Sequence, residues 1–212
     1  GGRYSNPLPC SMTMPRTLLA NFVSLTTTTK VWNGVGNWMS DSPWTPAGIP
    51  NPNDTVIINS GVCSLSDPVM ASSLTVSNGA VLLCQGWDTS LNAGDIGVYG
   101  SVTHATNSAL GTNAAGGWTP EARIYLICGS LFVATNGVID ANWRGYRGAD
   151  NINNSGYGMG PGGGGPGTAT RGAGGGYGGR GSDSSTGGAI GGSLYGAMAA
   201  PVDPGSGGGY GR

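Results

Sequence analysis

One lysine (Lys30) and one glutamate (Glu121) occur in the whole chain, and charged residues make up only 9% of it. Soluble domains carry about 25%. Lys and Glu are two of the main surface helix formers, so their scarcity excludes a helical bundle as the expected architecture. With a formal net charge of -1, no basic footprint exists to attract a polyanion, and nucleic acid and anionic membrane are poor partners. No apolar run approaches the roughly 18 residues of a membrane helix, so no membrane insertion is expected and the chain reads as soluble. It opens Gly1-Gly2-Arg3 without a charged and apolar leader, which points to a leader already removed or to a piece of a longer protein.

Catalytic and metal-binding residue types are equally thin. His104 is the sole histidine and has no nucleophile beside it in a recognisable motif, so a hydrolase triad is not expected. Asp54, Asp67, Asp88, Asp95, Asp140 and Asp150 are scattered with no spacing that argues for a glycosidase acid pair. The glycine-rich stretches at 158–162 and 174–179 lack the GK[ST] ending of a phosphate loop, and no dinucleotide fingerprint flanked by strand and helix is present. No enzyme activity and no cofactor is expected. The four cysteines, Cys10, Cys63, Cys84 and Cys128, contain no CxxC pair, which argues against zinc and c-type haem. An even set in a Gly- and Thr-rich chain fits disulfides in an oxidising compartment, with four buried thiols as the alternative. Asn53-Asp54-Thr55 and Asn153-Asn154-Ser155 are N-glycosylation sequons.

What the chain does have is glycine, 43 residues of it, with Thr, Val, Ser and Asn, the chemistry of strands and turns. Composition divides it into an opening segment (1–52), a strand-rich body (53–143) and a glycine-rich tail (144–212). Four stretches of the body share one grammar: Asp54 to Leu65, Ser73 to Leu83, Ile96 to Thr103 and Ile127 to Asp140. Each places apolar residues at every second position, turns at a glycine, and begins a second short apolar strand. Alternation buries one face of a strand, and glycine supplies the positive φ of a sharp bend. Gly61, Gly79, Gly100 and Gly129 recur at intervals that match one turn of a parallel β-helix. The expected fold is therefore all-β, a short parallel β-helix, with an antiparallel β-sandwich as the alternative because Asn78-Gly79 and Asn136-Gly137 also suit hairpins. Cys63 and Cys84 stand about one coil apart and Cys84 and Cys128 about two, so stacking could bring them within disulfide reach.

The stretch from Val31 to Ile58 contains Trp32-Asn33-Gly34, Trp38, Trp44, Pro50 and Asp54-Thr55-Val56-Ile57-Ile58. It resembles the opening of many secreted right-handed parallel β-helix proteins, among them bacterial surface proteins and autotransporter-like adhesins. The resemblance implies that Trp32, Trp38 and Trp44 form a capping lid over the first coil, which would otherwise expose its apolar interior and unpaired backbone. A carbohydrate-stacking platform is the alternative role for these indoles.

The tail, with Gly174-Gly175-Gly176-Tyr177, Leu194-Tyr195-Gly196 and Gly205-Ser206-Gly207, resembles the glycine-rich parts of secreted β-helix and cell-surface proteins. Gly172, Gly175, Gly178 and Gly181 fall at every third position, the period of a polyglycine II or polyproline II helix, so the tail is expected to be ordered by backbone packing. Arg144, Arg147, Arg171 and Arg180 are expected to hydrogen-bond glycine-rich carbonyls. Tyr146, Tyr157, Tyr177, Tyr195 and Tyr210 are expected to pack on glycine faces, and the last four could also contact glycans or a second subunit. Ordering glycine costs more backbone entropy than ordering any other residue, which points to neighbouring strands, from this chain or another copy, as compensation. The expected function is a secreted, self-associating structural subunit of a fibre or surface layer at the cell surface, or alternatively an adhesin module that binds surface glycans.

Overall fold

The computed structural model describes residues 26–108, 117–149, 156–167, 171–185, 188–197, 199 and 201–211. Among these residues there is no helix, and so none long and apolar enough to cross a membrane. Among the described residues nine strands form one sheet: β1 (Thr29–Asn37), β2 (Trp44–Thr45), β3 (Thr55–Leu65), β4 (Val69–Val76), β5 (Val81–Cys84), β6 (Leu91–Val98), β7 (Ser101–His104), β8 (Leu126–Val133) and β9 (Val138–Asp140).

Every pairing except β1 with β2 is parallel, and the order is that of a wound coil. Thr55–Ile58 of β3 pairs with β4, whereas Val62–Leu65 of the same strand pairs with β5. One continuous strand thus spans both arms of a bent rung. The successive rungs are β1, β3, β4 with β5, β6 with β7, and β8 with β9. This rules out the antiparallel sandwich. The turns at Asn78-Gly79 and Asn136-Gly137 lead the chain around a corner, and the strands on either side bond to the next rung instead of to each other.

The corners require glycine for a local reason. Gly61 and Gly79 adopt φ values of 78° and 77°, and a Cβ on Gly61 would lie 1.9 Å from the Gly34 carbonyl oxygen of the rung before. A Cβ on Gly137 would meet Val98 O at 2.0 Å. The last corner is therefore Gly137. Gly129, expected there from its spacing, lies inside β8 beside Gly94, where the β6–β8 pairing skips one position. The long excursion between His104 and Leu126 shifts the interval.

Parallel register stacks like on like. Val56, Leu74, Ile96 and Leu131 form one inward column, and Ile58, Val76, Val98 and Val133 form the next. On the second arm Cys63, Leu82, Val102 and Ile139 align, as do Leu65, Cys84 and His104. The apolar column residues of the middle rungs, such as Leu74, Val76, Leu82, Ile96, Val98 and Val102, are at most 1% exposed, each contributing about 1.5–3 kcal/mol by removal from water. Trp32, opposite Ile58 in β1, begins the second column.

The described part of the glycine-rich segment has no regular strands, yet its hydrogen bonds repeat every third residue. Gly164 and Gly167 donate to Gly207 and Tyr210, Ala173 and Gly176 to Gly165 and Gly162, and Tyr146 and Ala149 to Gly205 and Gly208. Tyr146, Met159, Ala173 and Ala189 are its buried apolar side chains.

Candidate functional site

Where the coils meet the glycine-rich segment lies a cavity of about 380 Å³, lined in part by Trp87, His104, Arg123, Tyr125, Arg144 and Asp203. Trp87 comes from the loop between β5 and β6, His104 ends β7, Arg123 and Tyr125 precede β8, Arg144 follows β9, and Asp203 belongs to the tail. The Arg123 guanidinium is held between two rings, 4.5 Å from the Trp87 centroid and 4.6 Å from that of Tyr125. Its Nε also donates to the Trp87 carbonyl at 2.7 Å. Stacking of this kind stabilises by about 0.5–2 kcal/mol and fixes the plane of the guanidinium.

Among the described residues, the Arg144 guanidinium and the Asp203 carboxylate have no hydrogen-bond or ion-pair partner, and the Arg123 Nη groups have none either. Three charged groups therefore border one cavity without satisfying each other. His104 Nδ1 lies 2.8 Å from Ala105 O, and a carbonyl only accepts, so this nitrogen carries the proton. Burial pushes the His104 pKa below its usual value, and the nearby Arg144 acts in the same direction. The imidazole is thus neutral near pH 7.

One wall is held by Asn107, a buried residue with all its side-chain polar atoms engaged. Its Oδ1 accepts from the Glu121 and Ala122 N–H groups at 2.6 and 3.1 Å, while Nδ2 donates to Ala122 O and Arg144 O at 3.0 and 2.7 Å. Sequence reasoning missed Trp87, Asn107, Arg123 and Tyr125. The only local signal was the Arg123-Ile124-Tyr125 alternation, which places the outer two on one face of an extended chain.

Trp32, Trp38 and Trp44 are 0%, 1% and 2% exposed and meet edge to face, Trp44 lying 5.0 Å from each of the others. With no ring face in solvent, they form no carbohydrate platform. Trp44 Nε1 donates to Trp38 O, and Asn33 N–H donates to Pro43 O, so the outer edge of β1 is covered by residues 43–45. Lys30 is buried in the same region, its ammonium donating to the carbonyls of Pro46, Ala47 and Gly48 at 3.0–3.1 Å.

Cys63, Cys84 and Cys128 are free thiols, which corrects the disulfide expectation for these three. Cys63 stands opposite Leu82, two residues from Cys84, so the two Cα atoms are about 8 Å apart, beyond disulfide reach. Cys128 pairs with Ala93 on the other arm. Cys10 and the sequon residue Asn153 lie outside the described residues. Asn53 is half-buried in the turn before β3.

The tyrosines divide. Tyr177 and Tyr195 meet at right angles, 5.0 Å apart, and their hydroxyls engage the backbone of residues 202–204: Val202 N–H donates to Tyr177 Oη and Tyr195 Oη donates to Pro204 O. Tyr157 is 56% exposed and Tyr210 half-buried. Arg171 donates to Ser185 Oγ and Arg180 pairs with Asp183 at 2.6 Å, so these two use side-chain acceptors in place of the expected glycine carbonyls. Of the four glycines at triplet spacing, Gly172, Gly175 and Gly181 press on other backbone, whereas Gly178 turns with φ 48°.

At the far end of the coils, burial fails. Leu131, Val133 and Ile139 are 47%, 41% and 39% exposed, although their register partners Ile96, Val98 and Val102 are at most 1% exposed. Among the described residues, no strand pairs with the outer edges of β8 and β9. No protein-family model, curated protein or solved structure matches this chain.

Proposed function

We propose that this chain is a secreted, non-catalytic structural subunit that self-associates through the open end of its coils, with the glycine-rich segment as a second contact. The reading rests on one observation: inward columns that are sealed through the middle rungs end in exposed Leu131, Val133 and Ile139. An unpaired strand edge with apolar ends is a template for further strands. The opposite end differs, because residues 43–45 and the tryptophans cap β1. The coil stack thus has one adhesive end. Two copies meeting open end to open end form a closed, two-fold pair, and such an interface alone stops at a dimer.

Extension into a fibre or layer then falls to the glycine-rich segment. Its three-residue hydrogen-bond period is that of a polyglycine II-like pack, in which each extended segment bonds to several neighbours and can accept another at its margin. Light scattering across a concentration series, followed by negative-stain microscopy, tests the reading. Concentration-dependent dimers growing into regular assemblies are expected. A monomer that persists at millimolar concentration sinks it.

A further inference from the structure

The cavity between coils and tail bears on neither strand edge. We propose that it binds a carboxylated saccharide, with Arg144 and the Arg123 Nη groups taking the carboxylate, Tyr125 packing on the sugar ring, and Asp203 accepting from hydroxyls. The argument starts from what the fold leaves undone. Arg144, the Arg123 Nη groups and Asp203 border one space, and among the described residues none is paired. In a chain with so few charges, three unsatisfied ones around a cavity are not a by-product of a generally charged surface.

The geometry selects a ligand class. A guanidinium clamped between Trp87 and Tyr125 is oriented before any ligand arrives, and its free fork matches a planar carboxylate. Arg123 and Arg144 against Asp203 give the cavity a single net positive charge, which one acidic group on a ligand neutralises and a polyphosphate would overload. Tyr125 is 42% exposed, so part of its ring remains available to an apolar sugar face. Asp203 and the carbonyl-rich tail supply acceptors, which a polyhydroxylated ligand can fill and an aliphatic acid cannot.

The test uses two matched pairs on the full chain by calorimetry: trigalacturonate against its methyl ester, and sialyllactose against lactose. At least one carboxylated probe is expected to bind about tenfold or more tightly than its neutral partner and to shift the Arg123 Nε–H resonance. Arg144→Gln, whose side chain holds nothing in the fold, should remove that preference with the melting temperature unchanged. Tyr125→Ala should weaken both members of a pair, the acidic one more, because it removes the sugar-packing ring and also releases Arg123. The proposal is overturned if neither carboxylated probe binds at millimolar concentration, if the neutral probes bind equally well, if Arg144→Gln leaves the preference intact, or if tri-aspartate binds as tightly as the sugars.

Discussion

Asn107 and Arg144, 37 residues apart, are joined by two hydrogen bonds: the Asn107 N–H donates at 3.3 Å and its Nδ2 at 2.7 Å, both to the Arg144 carbonyl. This one carbonyl ties the end of the coils to the excursion between β7 and β8, and so sets the position of the cavity wall.

Asn107→Ala should destabilise the protein by about 3 kcal/mol, because it strands the Glu121 and Ala122 N–H groups and the Ala122 carbonyl without their partners. Urea unfolding measures this. A loss below about 0.5 kcal/mol would mean that water replaces the side chain freely.

Two glycines offer an internal contrast. A Cβ on Gly192 would sit 1.8 Å from Gly162 O, while one on Gly205 meets nothing within 4 Å. Gly192→Ala is expected to loosen the glycine-rich segment, seen as faster amide exchange at Gly174, Gly176 and Gly181, and Gly205→Ala to leave exchange unchanged. Equal effects of the two substitutions would show that backbone contact does not order this segment.

Much of the coil was legible in sequence because its cause is local. Alternation in Ser73-Leu74-Thr75-Val76 fixes which face is buried, and a glycine at each corner fixes where the chain bends. Lateral offset is not local. The 21-residue separation of Cys63 and Cys84 counts one coil correctly but hides a two-residue slip along the strand, enough to forbid the bond. The cavity was hidden for a related reason: its residues come from separate rungs and from the tail, and only register and the return of the chain bring them together.

The thiols should report this register. Cys128 is half-buried, while Cys63 and Cys84 are buried, and burial pushes both thiols up, that of Cys84 to about 11. In a Cys10→Ser background, a disulfide reagent should label Cys128 in the folded protein and the other two only after unfolding. Rapid labelling of all three in the native state contradicts the coil packing.

Stability should fall on both sides of neutral pH. Cys84 keeps its proton in the folded state to about 11, against 9.0 when exposed, so its contribution is intact below pH 9. It is lost as pH rises from 9 to 11, about 3 kcal/mol in all. His104 has the opposite sense: its folded pKa lies below 6.5, so its contribution is present above pH 6.5 and disappears as pH falls through the folded value. Cys84→Ala should reduce the alkaline slope, the rest of which belongs to the buried Cys63 thiol, and His104→Gln should flatten the acid one, as read by urea midpoints against pH.

Position along a column should decide how a charge is tolerated. Ile96→Lys buries an ammonium between rungs and is expected to unfold the coils, whereas Leu131→Lys, at the open end of the same column, should keep the melting temperature and abolish association. Scattering that is unchanged for Leu131→Lys places the subunit contact elsewhere.

Lys30 gives the molecule an unusual chemical exterior. The chain's one lysine spends its ammonium on three carbonyls inside the fold, so no amine side chain faces the surroundings. Acylating reagents, aldehyde fixatives and reducing sugars find no lysine on the folded surface, and proteases that cut after lysine find no accessible bond there. Such a surface is suited to long exposure outside a cell, where these reactions accumulate.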